Sequence, residues 1–66
     1  MQLTVNGDIH EIDAPLTVLA LIERFGLDPR KVAIERNLEI VPRSVYGETQ
    51  LGQGDRLEIV HFVGGG

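Results

Sequence analysis

Apolar and polar residues alternate over residues 1–5, and this pattern predicts a half-buried strand. Asn6-Gly7 follows, and this dipeptide favours a two-residue hairpin because both turn positions need a positive φ. A two-residue turn places His10 opposite Leu3 in the returning strand, so these two side chains would share a face. A longer loop would exchange the two faces of that strand.

A helical period replaces the alternation after the break at Asp13-Ala14-Pro15. Thr17 is the predicted N-cap, because its hydroxyl oxygen can accept a hydrogen bond from the first helical turn. Gly26 is predicted to end the helix, because glycine readily adopts the left-handed conformation that follows a helix. Four apolar residues recur at the spacing of one helix face, which we expect to be buried: Val18, Leu21, Ile22 and Phe25.

The second half of the chain reads as three more strands and one irregular segment. Strands are predicted over residues 31–36 and 39–41, with a short helical turn near Val45-Tyr46 and a last strand over residues 56–63. The order ββαββ, irregular segment, β predicts an α+β fold in which a mixed sheet of about five strands clasps one helix. We expect one domain over residues 1–63 and a flexible glycine tail over residues 64–66.

The two faces of the last strand differ in the role that we predict for them. Leu57 and Ile59 are expected to point at the helix, which leaves Val60 and Phe62 on the outer face beside the tail. Exposed apolar side chains there would form a patch for a partner protein. The alternative is that a loop covers them.

Composition narrows the possible functions. A chain of 66 residues has no room for a deep cleft beside its core, which argues against an enzyme. The net charge of −4 argues against nucleic-acid binding, which needs a basic surface. No apolar run approaches the length of a membrane span, and the absence of cysteine favours a reducing cytoplasm over a disulfide scaffold.

The side chains do not form a recognisable catalytic, cofactor or metal site. Gly52-Gln53-Gly54 lacks the following helix and the Gly-Lys-Ser/Thr of a phosphate loop, so a tight turn is the better interpretation. His10 and His61 are an incomplete ligand set for a metal ion. Tyr46 has no evident base beside it. The predicted reacting group is therefore the α-carboxylate of Gly66.

Gly64, Gly65 and Gly66 suit a chemistry that happens on a partner enzyme. A carboxylate is a poor electrophile and must be activated, for example by adenylation, before a nucleophile can attack it. Glycines have no side chains to obstruct a narrow channel towards the α-phosphate of ATP, and they add nothing to a core. The alternative is a frayed terminus or a cloning remnant.

The chain resembles the ThiS family of bacterial sulfur-carrier proteins. The resemblance rests on the Asn6-Gly7 hairpin, the Thr17-Val18-x-x-Leu21-Ile22 helix start, Ile40-Val41-Pro42-Arg43-Ser44 and the closing block from Gly54 to Gly66. It covers essentially the whole chain in order, and Gly47 is the one small departure, within the short helical turn. The resemblance implies a ubiquitin-like β-grasp fold.

The resemblance also implies a role in making the thiazole half of thiamine. A ThiF-like adenylyltransferase would activate the carboxylate of Gly66 with ATP and magnesium, so this chain would bind no cofactor itself. A sulfur donor such as a cysteine desulfurase would then supply sulfur for a thiocarboxylate, and thiazole synthase, ThiG, would accept it. A MoaD-like carrier for molybdopterin, a ubiquitin-like protein modifier and a small interaction module with inert glycines remain the alternatives.

Overall fold

The computed structural model describes residues 1–62, which form one five-stranded sheet and one helix. The elements are β1 (Gln2–Val5), β2 (Asp8–Glu11), α1 (Val18–Arg24), β3 (Val32–Arg36), β4 (Glu39–Val41) and β5 (Arg56–His61). The sheet order is β2-β1-β5-β3-β4; β1 and β5 are parallel and the other neighbours antiparallel. This confirms the predicted β-grasp arrangement. The predicted domain limit at Val63 and the tail lie outside the described residues.

The first hairpin has the register that the two-residue turn requires. Asn6 and Gly7 have φ angles of 50° and 85°, and Leu3 lies opposite His10. Ile9 is 65% exposed on the outer face of the sheet, while Leu3 is fully buried on the inner face. The alternation of the sequence therefore predicted both the pairing and the buried face.

Both ends of α1 have the capping groups that the sequence predicts. The Thr17 hydroxyl oxygen accepts a hydrogen bond from the Ala20 N–H at 3.1 Å. Gly26 has a φ of 74°, and the Leu27 N–H donates to the Ile22 carbonyl at 3.1 Å. The Gly26 N–H also donates to the Glu23 carbonyl at 2.9 Å. The hydrogen bonds of Gly26 and Leu27 together form a Schellman motif, which ends the helix after two turns.

The core lies between α1 and the inner face of the sheet. Leu21 and Ile22 of the helix are fully buried, as are Leu3 of β1 and Val32 of β3. The complete buried set is Leu3, Val5, Ile12, Val18, Leu21, Ile22, Val32, Ile34, Val41, Tyr46, Leu51 and Leu57, with Ile59 packed at its edge.

The predicted burial of Phe25 is wrong. Phe25 is the C-cap of α1, one residue past the last helical residue Arg24, and 36% of its surface is exposed. The centroid of its ring lies 5.2 Å from that of the His10 ring. The helical spacing extends beyond the helix because the Schellman turn at Gly26 stops the helix first.

Other predicted boundaries also shift by a residue or more. The last strand, predicted over residues 56–63, ends at His61, and Phe62 lies outside it. Lys31, predicted to begin the third strand, instead ends a 3₁₀ turn over Pro29–Lys31 that the side chain of Asp28 caps. The helical turn predicted near Val45-Tyr46 is a 3₁₀ turn over Arg43–Val45. Tyr46 itself is buried, and its hydroxyl donates to the Val32 carbonyl at 3.2 Å, which gives it a structural role.

Candidate functional site

The end of β5, which Phe62 follows, is held from both sides. On one side the Asn6 side chain accepts a hydrogen bond from the Ile59 N–H at 2.7 Å and donates to the Ile59 carbonyl at 3.2 Å. On the other side the Phe62 N–H donates to the Lys31 carbonyl at 2.8 Å. The position from which the chain continues towards Gly66 is therefore fixed relative to the sheet.

Asn6 has a second role that its turn signal does not reveal. β1 ends at Val5, one residue before the turn, while the parallel strand β5 continues to His61. The Asn6 amide group fills the place of a missing backbone partner opposite Ile59. Glycine would also accept the positive φ at this position, but it would not supply these hydrogen bonds.

Asp55 organises the start of β5. Its Oδ2 accepts hydrogen bonds from Arg36 Nε at 2.9 Å and from the Gly52 N–H at 2.8 Å, and its Oδ1 accepts from Asn37 Nδ2 at 3.0 Å. The backbone carbonyl of Asp55 also accepts from the Thr4 N–H at 3.0 Å. The carboxylate therefore ties the turn before β5 to β3.

The pKa of Asp55 lies below its ordinary value. Burial disfavours the charged form and by itself would raise this pKa, but the hydrogen bonds from Asn37, Gly52 and Arg36 and the charge of Arg36 outweigh it. A carboxyl group with a depressed pKa stabilises the fold fully above its unfolded-state pKa of about 3.8, and this contribution is lost as the pH falls through the folded-state pKa.

Asp55→Asn is expected to lower the free energy of unfolding by about 1–3 kcal/mol at neutral pH. Both carboxylate oxygens of Asp55 accept hydrogen bonds, so the NH₂ group of the new amide would face another N–H donor in either orientation. Urea unfolding measured from pH 7 down to pH 2 should show wild-type stability falling below about pH 4. The variant should show a flatter profile over that range. Equal stability of the two proteins at pH 7 would contradict the role given to Asp55.

The two side chains predicted to bind a partner are exposed on the outer face of the sheet. Val60 is 58% exposed and Phe62 is 40% exposed. Val60 lies opposite Ala33 of β3, on the face away from α1. Their outward placement agrees with the alternation of β5, and their binding role stays a prediction.

The remaining site predictions concern the tail and the absence of other chemistry. Gly64, Gly65 and Gly66 lie outside the described residues. Over residues 1–62 no three His, Cys, Asp or Glu side chains come close enough to hold a metal ion. Within the same range, no helix combines the length and the apolar character needed to cross a membrane.

A family comparison covers almost the entire chain. The model of the ThiS family matches residues 3–66. The chain belongs to the ThiS family. The sulfur carrier protein ThiS of Bacillus subtilis is 44% identical over 50 residues, which are 76% of each chain. The crystal structure of the thiamine biosynthesis protein (ThiS) of Geobacter metallireducens superposes with a TM-score of 0.84 at 33% identity and covers both chains completely.

Other relatives of this ThiS-family chain are much longer proteins. A thiazole synthase of Paramagnetospirillum magneticum is 53% identical over all 66 residues, and one of Magnetococcus marinus is 42% identical over the same length. The chain spans about a fifth of the length of each, 20% in both cases. Each of these two proteins is named thiazole synthase, and each contains a segment that is similar to this whole chain.

Proposed function

We propose that this chain is a sulfur carrier in thiamine biosynthesis and that its sulfur is carried on the carboxyl group of Gly66. The observation that carries the proposal is the ThiS family match, which runs through Gly66. The similarity to named ThiS proteins in sequence and in structure supports it. The thiazole synthases among the relatives favour thiazole formation over the molybdopterin pathway.

The carrier goes through one chemical cycle on partner enzymes. A ThiF-like adenylyltransferase joins the Gly66 carboxylate to the α-phosphorus of ATP, with magnesium, and pyrophosphate leaves. A cysteine desulfurase supplies sulfur from cysteine as a persulfide, which attacks the acyl adenylate and displaces AMP to form an acyl disulfide. A thiol then reduces its S–S bond, which releases the thiocarboxylate and leaves a disulfide. Thiazole synthase accepts this sulfur, and an oxygen atom from water or from the acceptor takes its place, so that the carboxylate is restored.

In this scheme the chain is a co-substrate and supplies no catalytic side chain. Its contribution is to present one carboxyl group on a short tail that starts from a fixed place beside a docking surface. The hydrogen bonds of Asn6 to Ile59 and of Phe62 to Lys31 supply the fixed place. The three final glycines leave the approach to the carboxyl group free of side chains.

The proposal is tested by intact mass. The chain is incubated with a ThiF-like adenylyltransferase, ATP, magnesium, a cysteine desulfurase, cysteine and a thiol reductant. We expect a mass rise equal to the exchange of one oxygen for one sulfur, which peptide mapping assigns to Gly66. The rise should be absent without ATP. No rise in the complete mixture, or sulfur on any other residue, would overturn the proposal, and attachment to lysines would favour a protein modifier instead.

Phe62 and Val60 are proposed to dock the activating enzyme. Phe62→Ala is expected to weaken binding by about 2 kcal/mol or more, because exposed aromatic residues are frequent interface anchors. The melting temperature should change little, since the Phe62 side chain is already 40% exposed. Isothermal titration against the ThiF-like enzyme measures the affinity.

Phe25→Ala is the matched control for this prediction. Phe25 is also a partly exposed phenylalanine, at 36%, but it lies beside His10 at the end of α1. Its removal should leave the affinity unchanged. If the two variants bind the ThiF-like enzyme with equal affinity, the proposal that Phe62 is a docking residue is wrong.

A further inference from the structure

The turn between β3 and β4 contains a leucine that neither the conformation nor the core explains. Asn37 and Leu38 have φ angles of 52° and 71°, and at such positions glycine is favoured and a bulky residue is uncommon. Leu38 is also 92% exposed, so its side chain gains no burial within the domain. A large apolar residue at such a place indicates a contact outside the domain.

Strand pairing places two carboxylates beside this turn on the outer face. Ile40 of β4 lies opposite Glu35 of β3, which lies opposite Glu58 of β5. Like charges directly opposite each other on one face destabilise a sheet. Among residues 1–62, neither glutamate has a cationic group within the 4.0 Å limit of an ion pair.

A shallow pocket joins the leucine and the carboxylates. Its lining residues are Glu35, Asn37, Leu38, Arg56 and Glu58, and its volume is about 230 Å³. This is smaller than the range of roughly 300–1,000 Å³ that is usual for small-molecule sites. A pocket of this size suits one long side chain of a partner. Its lining places the carboxylates of Glu35 and Glu58 against the single guanidinium of Arg56, and this excess of negative charge favours a lysine or an arginine.

We propose that Leu38, Ile40, Glu35 and Glu58 form a second contact area for the activating enzyme, here called the hairpin surface. A Lys or Arg side chain of the enzyme enters the pocket between Glu35 and Glu58, and Leu38 and Ile40 contact apolar side chains around it. The proposal rests on the proposed function, which supplies this partner.

Two observations support this occupant over others. The hairpin surface lies on the same sheet face as Val60, which is two residues along β5 from Glu58, so one partner can cover both areas. A basic side chain would also relieve the repulsion between Glu35 and Glu58, which no described residue relieves by an ion pair.

Leu38→Gly separates binding from stability. Glycine suits the positive φ and removes no buried surface, so the melting temperature should stay the same or rise. The dissociation constant for the ThiF-like enzyme should rise by at least about 5-fold, the usual threshold for a contributing interface residue. Ile9→Thr is the control, because Ile9 is 65% exposed on the same face but lies on the distant strand β2.

The double variant Glu35→Gln and Glu58→Gln tests the charge. It should weaken binding at low salt and reduce the dependence of the dissociation constant on salt concentration. The control is the double variant Glu23→Gln and Glu48→Gln, which removes the same charge from two exposed residues outside the hairpin surface. The control should keep the wild-type affinity at matched salt within about 2-fold, the spread expected of peripheral residues.

The outcomes distinguish this inference from the proposed function. If the wild-type chain is adenylated and the Leu38 and Glu35/Glu58 variants bind as tightly as it does, the hairpin surface is refuted and the sulfur-carrier proposal stands. If those variants lose affinity while no adenylation occurs, the hairpin surface stands and the carrier proposal fails. A wild-type chain that does not bind the enzyme overturns both.

Discussion

Deletion of Gly66 is expected to stop adenylation of this chain while leaving residues 1–62 folded. The deletion withdraws the carboxyl group by one residue, about 3.3–3.6 Å along an extended chain. A misplacement of about 1 Å already costs roughly 10²-fold in rate, so ATP–pyrophosphate exchange by a ThiF-like enzyme should fall by at least that factor. Circular dichroism should show an unchanged melting curve.

Gly66→Ala is the finer version of this experiment. It keeps the length of the chain but places a methyl group beside the reacting carbon, so exchange should again be strongly slowed. Gly47→Ala is the matched control, because a Cβ at Gly47 would meet only Leu19 Cδ2 at an ordinary 3.6 Å. Normal exchange by the Gly66 deletion would refute the assignment of Gly66 as the sulfur-bearing residue.

Leu21→Ala is expected to unfold much of the protein at room temperature. Leu21 is fully buried in the middle of α1, and truncation of such a leucine costs about 2–5 kcal/mol. A domain of this size has only about 3–5 kcal/mol of stability from its core. Urea unfolding followed by circular dichroism would show a large fall in the midpoint.

Leu38→Ala is the control for this loss of stability, since Leu38 is the same residue type at 92% exposure. Its midpoint should be equal to that of the wild type or slightly higher. A Leu21→Ala protein with an unchanged midpoint would contradict the position of α1 over the sheet.

Local signals in the sequence predicted the elements that depend on neighbouring residues. Asn6-Gly7 gave the hairpin register, and Thr17 and Gly26 gave the ends of α1. In each case a side chain or a backbone angle acts within a few residues of itself, so the sequence contains the whole interaction. The alternation of β5 likewise predicted which side chains face outwards.

Contacts between distant segments could not be predicted in the same way. Asp55 directly follows the predicted tight turn Gly52-Gln53-Gly54, and its carboxylate binds Arg36 and Asn37, which lie 19 and 18 residues away in the chain. The side chain of Asn6 binds Ile59, 53 residues away. The antiparallel pairing of β3 with β5 creates the first contact, and the parallel pairing of β1 with β5 creates the second. No local period encodes either pairing.

The outer face shows the same division between local and distant information. The alternation along the last strand predicted that Val60 and Phe62 are exposed, and this prediction needs no knowledge of the neighbouring strands. The opposition of Glu35 and Glu58 depends on the register of β3 against β5, which only the folded sheet defines. Leu38 could have been noticed from the sequence, because a leucine after asparagine in a two-residue turn takes the place where glycine is usual.

The hydrogen bonds of Asn6 to Ile59 and of Phe62 to Lys31 limit how far the carboxyl group of Gly66 can lie from the sheet. From the last anchored residue, Phe62, four residues lead to Gly66, and four residues span at most about 13–14 Å. An enzyme that docks on the outer face must therefore have its reacting atoms within that distance of Phe62. The same upper limit holds for every enzyme that shares this carrier: its active centre must lie within this distance of the place where it docks.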